Sequence, residues 1–299
     1  MRAREWSLLV LLSILWGGSF FFAKVAIAEL QPLTVVFGRV ALAALALNVV
    51  LLVAGRSLIR SGTPWKSYAA MGVLNNLVPF GLIFWGQTQI ASGLASILNA
   101  TTPLFTLVVA HFLTNDERIG WRKVAALLLG LSGVAALVGP GALTASSGTL
   151  GQIACLGAAL SYAFAGVYGR RFVTMGVSPI EAAAGQLMAS TVLILPIMLA
   201  VDRPWLLPEW PTAGVWGAMA GLALLSTALA YILYFRILEA AGATNLLLVT
   251  LLIPGVSIPL GAGFLDEQMR SEQIAGMVTI GAALVLIDGR LLGFRRPAK

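Results

Sequence analysis

The chain has little of what metal, redox or hydrolytic chemistry needs. Cys155 is its only cysteine and His111 its only histidine, which excludes an intrachain disulfide, a cysteine cluster and a multi-histidine metal site. Charge is also scarce. Only 10% of the 299 residues are Asp, Glu, Lys or Arg, against ~25% in soluble domains, so a water-soluble surface of this size cannot be covered. No phosphate-cradling glycine loop, metal motif or nucleophile motif is present, and no loop is long enough to hold an ATP-hydrolysing domain. An enzyme is therefore not expected, nor a cofactor or a bound metal.

What the chain has is apolar length. Hydrophobic residues make up 59% of it, with a mean hydropathy of +0.93, in runs of about 20, the length that crosses a ~30 Å hydrocarbon core. These runs do not alternate, which excludes a membrane barrel. The fold class expected is an all-α membrane protein. Ten transmembrane helices are predicted: Trp6–Ala28, Leu33–Ala54, Trp65–Gln89, Gly93–Leu113 and Trp121–Val138, then Leu150–Arg170, Pro179–Val201, Ala213–Leu238, Ala243–Leu265 and Gln273–Leu291. The first could be mistaken for a signal peptide, but its apolar run from Trp6 to Ala23 exceeds the usual 7–15 residues of such a segment, so it is read as retained.

Basic residues give the orientation. With the N-terminus cytoplasmic, fifteen lysines and arginines fall on the cytoplasmic side and only Arg203 and Arg270 on the outer side, Lys24 and Arg39 lying within helices. Both termini are then cytoplasmic, in a cell inner membrane. The net charge of +7 is accounted for by orientation beside anionic lipid, so the lipid bilayer is a partner and nucleic acid is not. Trp6, Trp65, Trp121, Trp205 and Trp210 fall near helix ends, as an aromatic belt requires.

The two halves repeat, residues 1–140 and 148–299, at an offset near 150. Gln31-Pro32 with Arg39 matches Ser178-Pro179 with Gln186; Pro103 matches Pro254; Asp116-Glu117 matches Asp266-Glu267. Five helices per repeat is an odd number, so the repeats must be inverted in the membrane, an arrangement of secondary transporters that bind substrate at the repeat interface.

These residues carry a resemblance. Trp16-Gly17-Gly18-Ser19-Phe20 with Lys24, then Pro32 and Arg39, Pro103 with Asn115-Asp116-Glu117-Arg118, and Pro254 with Leu265-Asp266-Glu267, together resemble the drug/metabolite transporter superfamily in its ten-helix EamA type. Within it the chain looks most like bacterial exporters of aromatic amino acids. The resemblance covers nearly the whole chain. It implies efflux of small metabolites without ATP through a cavity between the repeats.

The candidate substrate-binding residues are Trp16, Ser19, Asn76, Phe80, Asn99, Pro103, Tyr162, Thr227, Tyr231, Thr250 and Pro254. Pro103 and Pro254 should free the carbonyls of Asn99 and Thr250 four residues earlier, as acceptors for a substrate ammonium group; the alternative is a packing kink capped by a hydroxyl or water. Trp16 and Tyr162 lie near the midplane, where they either stack on a planar substrate or pack between helices. Phe84, Trp85 and Tyr234 are weaker candidates. Asn75-Asn76 and Ser226-Thr227 share a depth and serve as interhelical glue unless one asparagine faces the cavity. Lys24 and Arg39 fall in the outer third, expected to snorkel to headgroups, with a Glu29 pairing or attraction of a carboxylate as the alternative. His111 is read as structural. Small residues at Gly214, Gly217 and Gly221 and at Gly157, Ser161 and Ala165 suggest close helix packing rather than a dimer, so a monomer is expected. Helices one, three, four, six, eight and nine should enclose the cavity, with five and ten at the periphery. Two rivals remain: an organic-anion or nucleotide-sugar exchanger of the same fold, which should place several basic residues in the cavity, and a membrane-embedded enzyme or scramblase. Every Asp and Glu falls at or near a helix end, so coupling to protons through a buried carboxylate is not expected.

Overall fold

The computed structural model describes residues 3–58, 62–114, 120–138, 147–241 and 249–288, and among these the secondary structure is helical with no strand. The helices are α1 (Ala3–Ala26), α2 (Pro32–Val53), α3 (Trp65–Gln87), α4 (Ser92–Leu113), α5 (Trp121–Val138), α6 (Ser147–Thr174), α7 (Pro179–Val201), α8 (213–241), α9 (Val249–Phe264) and α10 (Ser271–Asp288). Seven of the helices are long and apolar enough to cross a membrane; α5, α9 and α10 supply shorter apolar stretches. The pair Asp116-Glu117, the start of the ninth predicted span and the basic C-terminal tail lie outside the described residues.

The helix starts follow from local chemistry. Pro32 and Pro179 open α2 and α7 at the first helical position, where the missing N–H would have no intrahelical partner anyway. Before α7, Ser178 and Glu181 form a reciprocal capping box. Consecutive helices alternate in direction. The contacts at their ends show it: Lys24 reaches Gln87 and Ile90, Glu29 reaches Thr212, Asp202 reaches Thr34 and Glu267 reaches Ser92, all at one end, here called distal. Arg56 meets Ser178 and Glu181 at the other, proximal end.

The packing partners come in mates. α1 lies against α9 and α6 against α4; α2 lies against α8 and α7 against α3; α3 lies against α6 and α8 against α1. Three contacts are their own mates: α2 with α7, α4 with α9, and α5 with α10. α3 and α6 cross most closely at Gly86 and Gly151, where a Cβ on either would come within 2.8–2.9 Å of the other's carbonyl oxygen. The predicted glycine stripe on α8 does not act this way: Gly217 meets open space, and only Gly221 sits under another ring, that of Phe22.

Large apolar residues cover the outside. Val53, Phe112, Trp121, Leu128, Val192 and Val278 are exposed, a surface that suits lipid and not water. The five end-placed tryptophans are exposed as well.

Three of the long helices are irregular at mid-length. α3 carries a π-helical turn at Val73–Leu77 and α8 a longer one at Gly221–Leu229. α4 is interrupted between Asn99 and Thr102. The distal piece of α4 packs on both α9 and α6, and the proximal piece packs on α6.

Candidate functional site

The two π turns hold the polar centre of the bundle. Such turns widen the helix and often mark functional positions. On α3, Asn75 Nδ2 donates to Gln186 Oε1 of α7 at 3.0 Å and to the Tyr231 hydroxyl of α8 at 3.1 Å. On α8, the Thr227 hydroxyl accepts from Arg39 Nε of α2 at 2.9 Å. These links are mates. Arg39 and Gln186 each lie seven residues beyond the proline that opens their helix, and each reaches the π turn of the opposite half.

Aromatic rings close the centre. The Arg39 guanidinium lies 3.8 Å from the Phe80 ring centroid and 5.8 Å from that of Phe84, a cation–π arrangement that offsets part of the cost of burial. Phe80 and Phe84 stack, and Tyr162 of α6 meets Phe80 edge-on with centroids 6.5 Å apart. Tyr162 and Tyr231 both lie within electrostatic reach of Arg39. Four of the predicted residues, Phe80, Tyr162, Thr227 and Tyr231, are thus brought together around a fifth group that was expected elsewhere.

Arg39 is the main correction. Instead of snorkelling, it is only 6% exposed. It falls on the buried stripe of α2, with Val35, Val36, Val40 and Ala43, and that register turns it into the bundle. Lys24 does not pair with Glu29 either. Its ammonium donates to the carbonyls of Gln87 at 2.5 Å and Ile90 at 2.9 Å, a cation on the orphan carbonyls that end α3. Glu29 instead accepts from the Thr212 N–H and hydroxyl at the start of α8.

The asparagines divide differently from the expectation. Asn76 is fully buried, donates to Ser190 at 2.9 Å, and so joins α3 to α7 as glue; Asn75 is the one that meets the aromatic centre. The proline carbonyls also differ. Pro103 sits at the start of the proximal piece of α4, after the break, and the Asn99 carbonyl accepts from the Thr102 hydroxyl at 2.7 Å. That is the hydroxyl-capped kink, not a free acceptor. The Asn99 side-chain oxygen, however, is buried with no partner among the described residues. Pro254 is buried within an unbroken α9, with Thr250 one turn before it.

The remaining candidates lie off the centre. Trp16 is half-buried, with its ring 5.8 Å from that of Tyr234, in an apolar cluster of α1, α8 and α9. The Ser19 hydroxyl donates back to the Trp16 carbonyl at 2.6 Å. His111 packs against Phe112. Gln186 and Asn75 are site residues that sequence reasoning used only for the repeat or left undecided; the signal for Gln186 was its spacing from Pro179, matched by Arg39 from Pro32, whereas nothing in the sequence set Asn75 apart from Asn76.

The distal ends of the two halves are fastened by carboxylates. Asp202 accepts from the Thr34 N–H at 2.6 Å and hydroxyl at 2.9 Å. Glu267 accepts from the Ser92 N–H and hydroxyl, both at 2.7 Å, and from the Gly93 N–H at 3.3 Å. Each acid meets the positive end of a helix from the other half, as Glu29 does. Arg203 and Asp266, next in sequence to two of these acids, hold left-handed φ values of 48° and 53°, a conformation that costs a non-glycine residue ~1 kcal/mol and that turns the adjoining carboxylate back onto its helix.

Comparison with known proteins agrees with this architecture. The profile of the EamA-like transporter family matches residues 4–139 and again 149–288. Over 276 residues, 91% of this chain and 92% of the relative, the chain is 27% identical to the uncharacterized transporter YoaV of Bacillus subtilis (strain 168). It is 29% identical over 280 residues to the uncharacterized inner membrane transporter YedA of Escherichia coli (strain K12), covering 92% of this chain and 88% of that one. A protein of known crystal structure shares the fold with a TM-score of 0.68 at 19% identity, across 99% of this chain and 100% of the other. The chain belongs to the EamA-like transporter family and is a multi-pass membrane transporter.

Proposed function

We propose that the protein is a secondary transporter that exports small metabolites, foremost amino acids with aromatic or other apolar side chains and related drug-like compounds, by alternating access without ATP. In this reading ten helices cross a cell inner membrane as two inverted halves, 1–140 and 148–299. The distal end faces outward, both termini are cytoplasmic, and the monomer is the working unit. The observation that supports it most is the mid-bundle centre of Asn75, Gln186, Tyr231, Arg39 and Thr227, to which both halves contribute matched residues at two π turns. Trp16, Ser19, Asn99, Pro103, Thr250 and Pro254 would extend that centre along α1, α4 and α9.

Among the described residues, no acidic side chain is hydrogen-bonded or ion-paired to that centre. Glu29, Asp202 and Glu267 engage helix starts at the distal end, and Glu181 pairs with Arg56 at the proximal end. Facilitated diffusion down the substrate gradient is the resulting mechanism. The organic-anion alternative gains from one observation, the interior position of Arg39.

The test is flux of labelled phenylalanine and other amino acids into proteoliposomes with no ion gradient. Flux should proceed, and Trp16→Ala should slow it severalfold while Leu128→Ala, at a site 63% exposed, should not. Flux that requires a pH gradient, or equal loss in both variants at equal expression, counts against the mechanism or the chosen face.

A further inference from the structure

Arg39 is more charge than its place in the fold requires. Its mate, Gln186, makes the same kind of cross-half link to a π turn with a neutral amide, so joining α2 to α8 does not need a cation. A guanidinium inside a bilayer is costly and is normally paired with an acid. Arg39 is 6% exposed, yet among the described residues its Nε–H alone is hydrogen-bonded, to Thr227, and no carboxylate meets it. No hydrogen bond engages its terminal amino groups among the described residues, and the guanidinium lies over the Phe80 ring, which Tyr162 meets edge-on.

Two parallel N–H donors on a planar, permanently charged group suit a carboxylate, which they grip at both oxygens. Lys24 suits this role less, because two of its three N–H donors already engage backbone carbonyls at the end of α3. We propose that Arg39 is the specificity-determining residue of this transporter: it binds the carboxylate of the substrate, whose apolar part lies against Phe80 and Tyr162. The inference rests on the transport reading above and narrows it. A free amino group becomes optional and a carboxylate obligatory, which unites the amino-acid and organic-anion readings as one substrate class.

The experiment uses the purified full chain with four probes: phenylalanine, 3-phenylpropionate, phenethylamine and sodium chloride. Binding is read by thermal shift in detergent, and flux by counterflow in proteoliposomes. The two carboxylates should stabilise and exchange, while phenethylamine and chloride should do neither. Arg39→Gln should raise the half-saturating concentration of both carboxylates about ten- to hundredfold, with Arg39→Lys in between because it keeps the charge and loses the fork. Thr227→Val leaves the guanidinium in place and guards against misfolding; it should weaken carboxylates a few-fold and preserve their preference over phenethylamine. Equal handling of phenethylamine and 3-phenylpropionate, a shift from chloride matching that from carboxylates, no shift from either carboxylate, or unchanged carboxylate affinity in Arg39→Gln would each overturn the proposal. Carboxylate binding that Arg39→Gln abolishes, without flux of any probe, would support the anion site while refuting transport of these compounds.

Discussion

If the carboxylate contacts fasten the distal ends of the halves, then releasing one of them should open the bundle from that side. Glu267 is the best placed for such a test. It accepts three hydrogen bonds, two of 2.7 Å and one of 3.3 Å, at the start of α4. Hydrogen bonds to an ionised group contribute ~1.5–3 kcal/mol, and a carboxylate at a helix start adds ~0.3–1 kcal/mol. Glu267→Gln keeps one carbonyl acceptor, so a net loss of about 2 kcal/mol is expected, which at 1.4 kcal/mol per tenfold shifts the open-to-closed ratio roughly thirtyfold. Gly261→Ala supplies an independent perturbation without a charge change, because a Cβ there would come 2.3 Å from Glu267 Oε2. The reporter is Ser257→Cys in a Cys155→Ala background. Ser257 is fully buried on α9 one turn below Gly261 and bonded to Ser96 of α4. Labelling of this cysteine by an impermeant maleimide added outside intact cells should quicken by ten- to thirtyfold in both variants. Unchanged rates in both, at equal expression, would refute the idea that these contacts hold the distal side closed.

The adjacent asparagines should separate stability from transport. Asn76→Ala, which removes the bond that the Ser190 hydroxyl accepts across the α3–α7 interface while that hydroxyl keeps its own bond to the Gln186 carbonyl, should lower the melting temperature in detergent by a few degrees through a loss of ~1 kcal/mol, whereas Asn75→Ala should reduce flux about tenfold with little change in melting. Gly86→Leu should abolish accumulation of folded protein in the membrane, since even a Cβ meets the Gly151 carbonyl, while Gly217→Leu, facing open space, should express like the parent.

Much of this architecture could be read from composition and spacing, and the failures have physical causes. Helix positions follow from apolar length and from prolines at helix starts, which act locally. Arg39 was misplaced because depth along a helix was used without rotation about it. The buried stripe of Val36, Val40, Ala43 and Leu47 contains Arg39 in register, and reading that stripe would have turned the side chain inward. At the break in α4 the Thr102 hydroxyl caps the Asn99 carbonyl, whereas Pro254 leaves α9 unbroken. The same residue gives two outcomes because neighbours decide how the freed carbonyl is satisfied. The π turns have no short-range signature at all. They coincide with residues whose partners, such as Gln186 for Asn75, lie more than a hundred positions away, beyond the reach of local patterning.

The fasteners at the two ends of the bundle differ in electrical kind. At the distal end, carboxylates meet neutral N–H and hydroxyl donors; at the proximal end, Arg56 meets Glu181 as an ion pair at 3.2 Å, with the arginine 44% exposed. Mobile ions screen a solvent-facing ion pair more than contacts between a charge and adjacent dipoles. Rising ionic strength therefore loosens the proximal ion pair more than the distal contacts. In the alternating-access reading proposed above, the two half-cycles would then carry different salt dependences, and the salt on each side would set how readily that face opens.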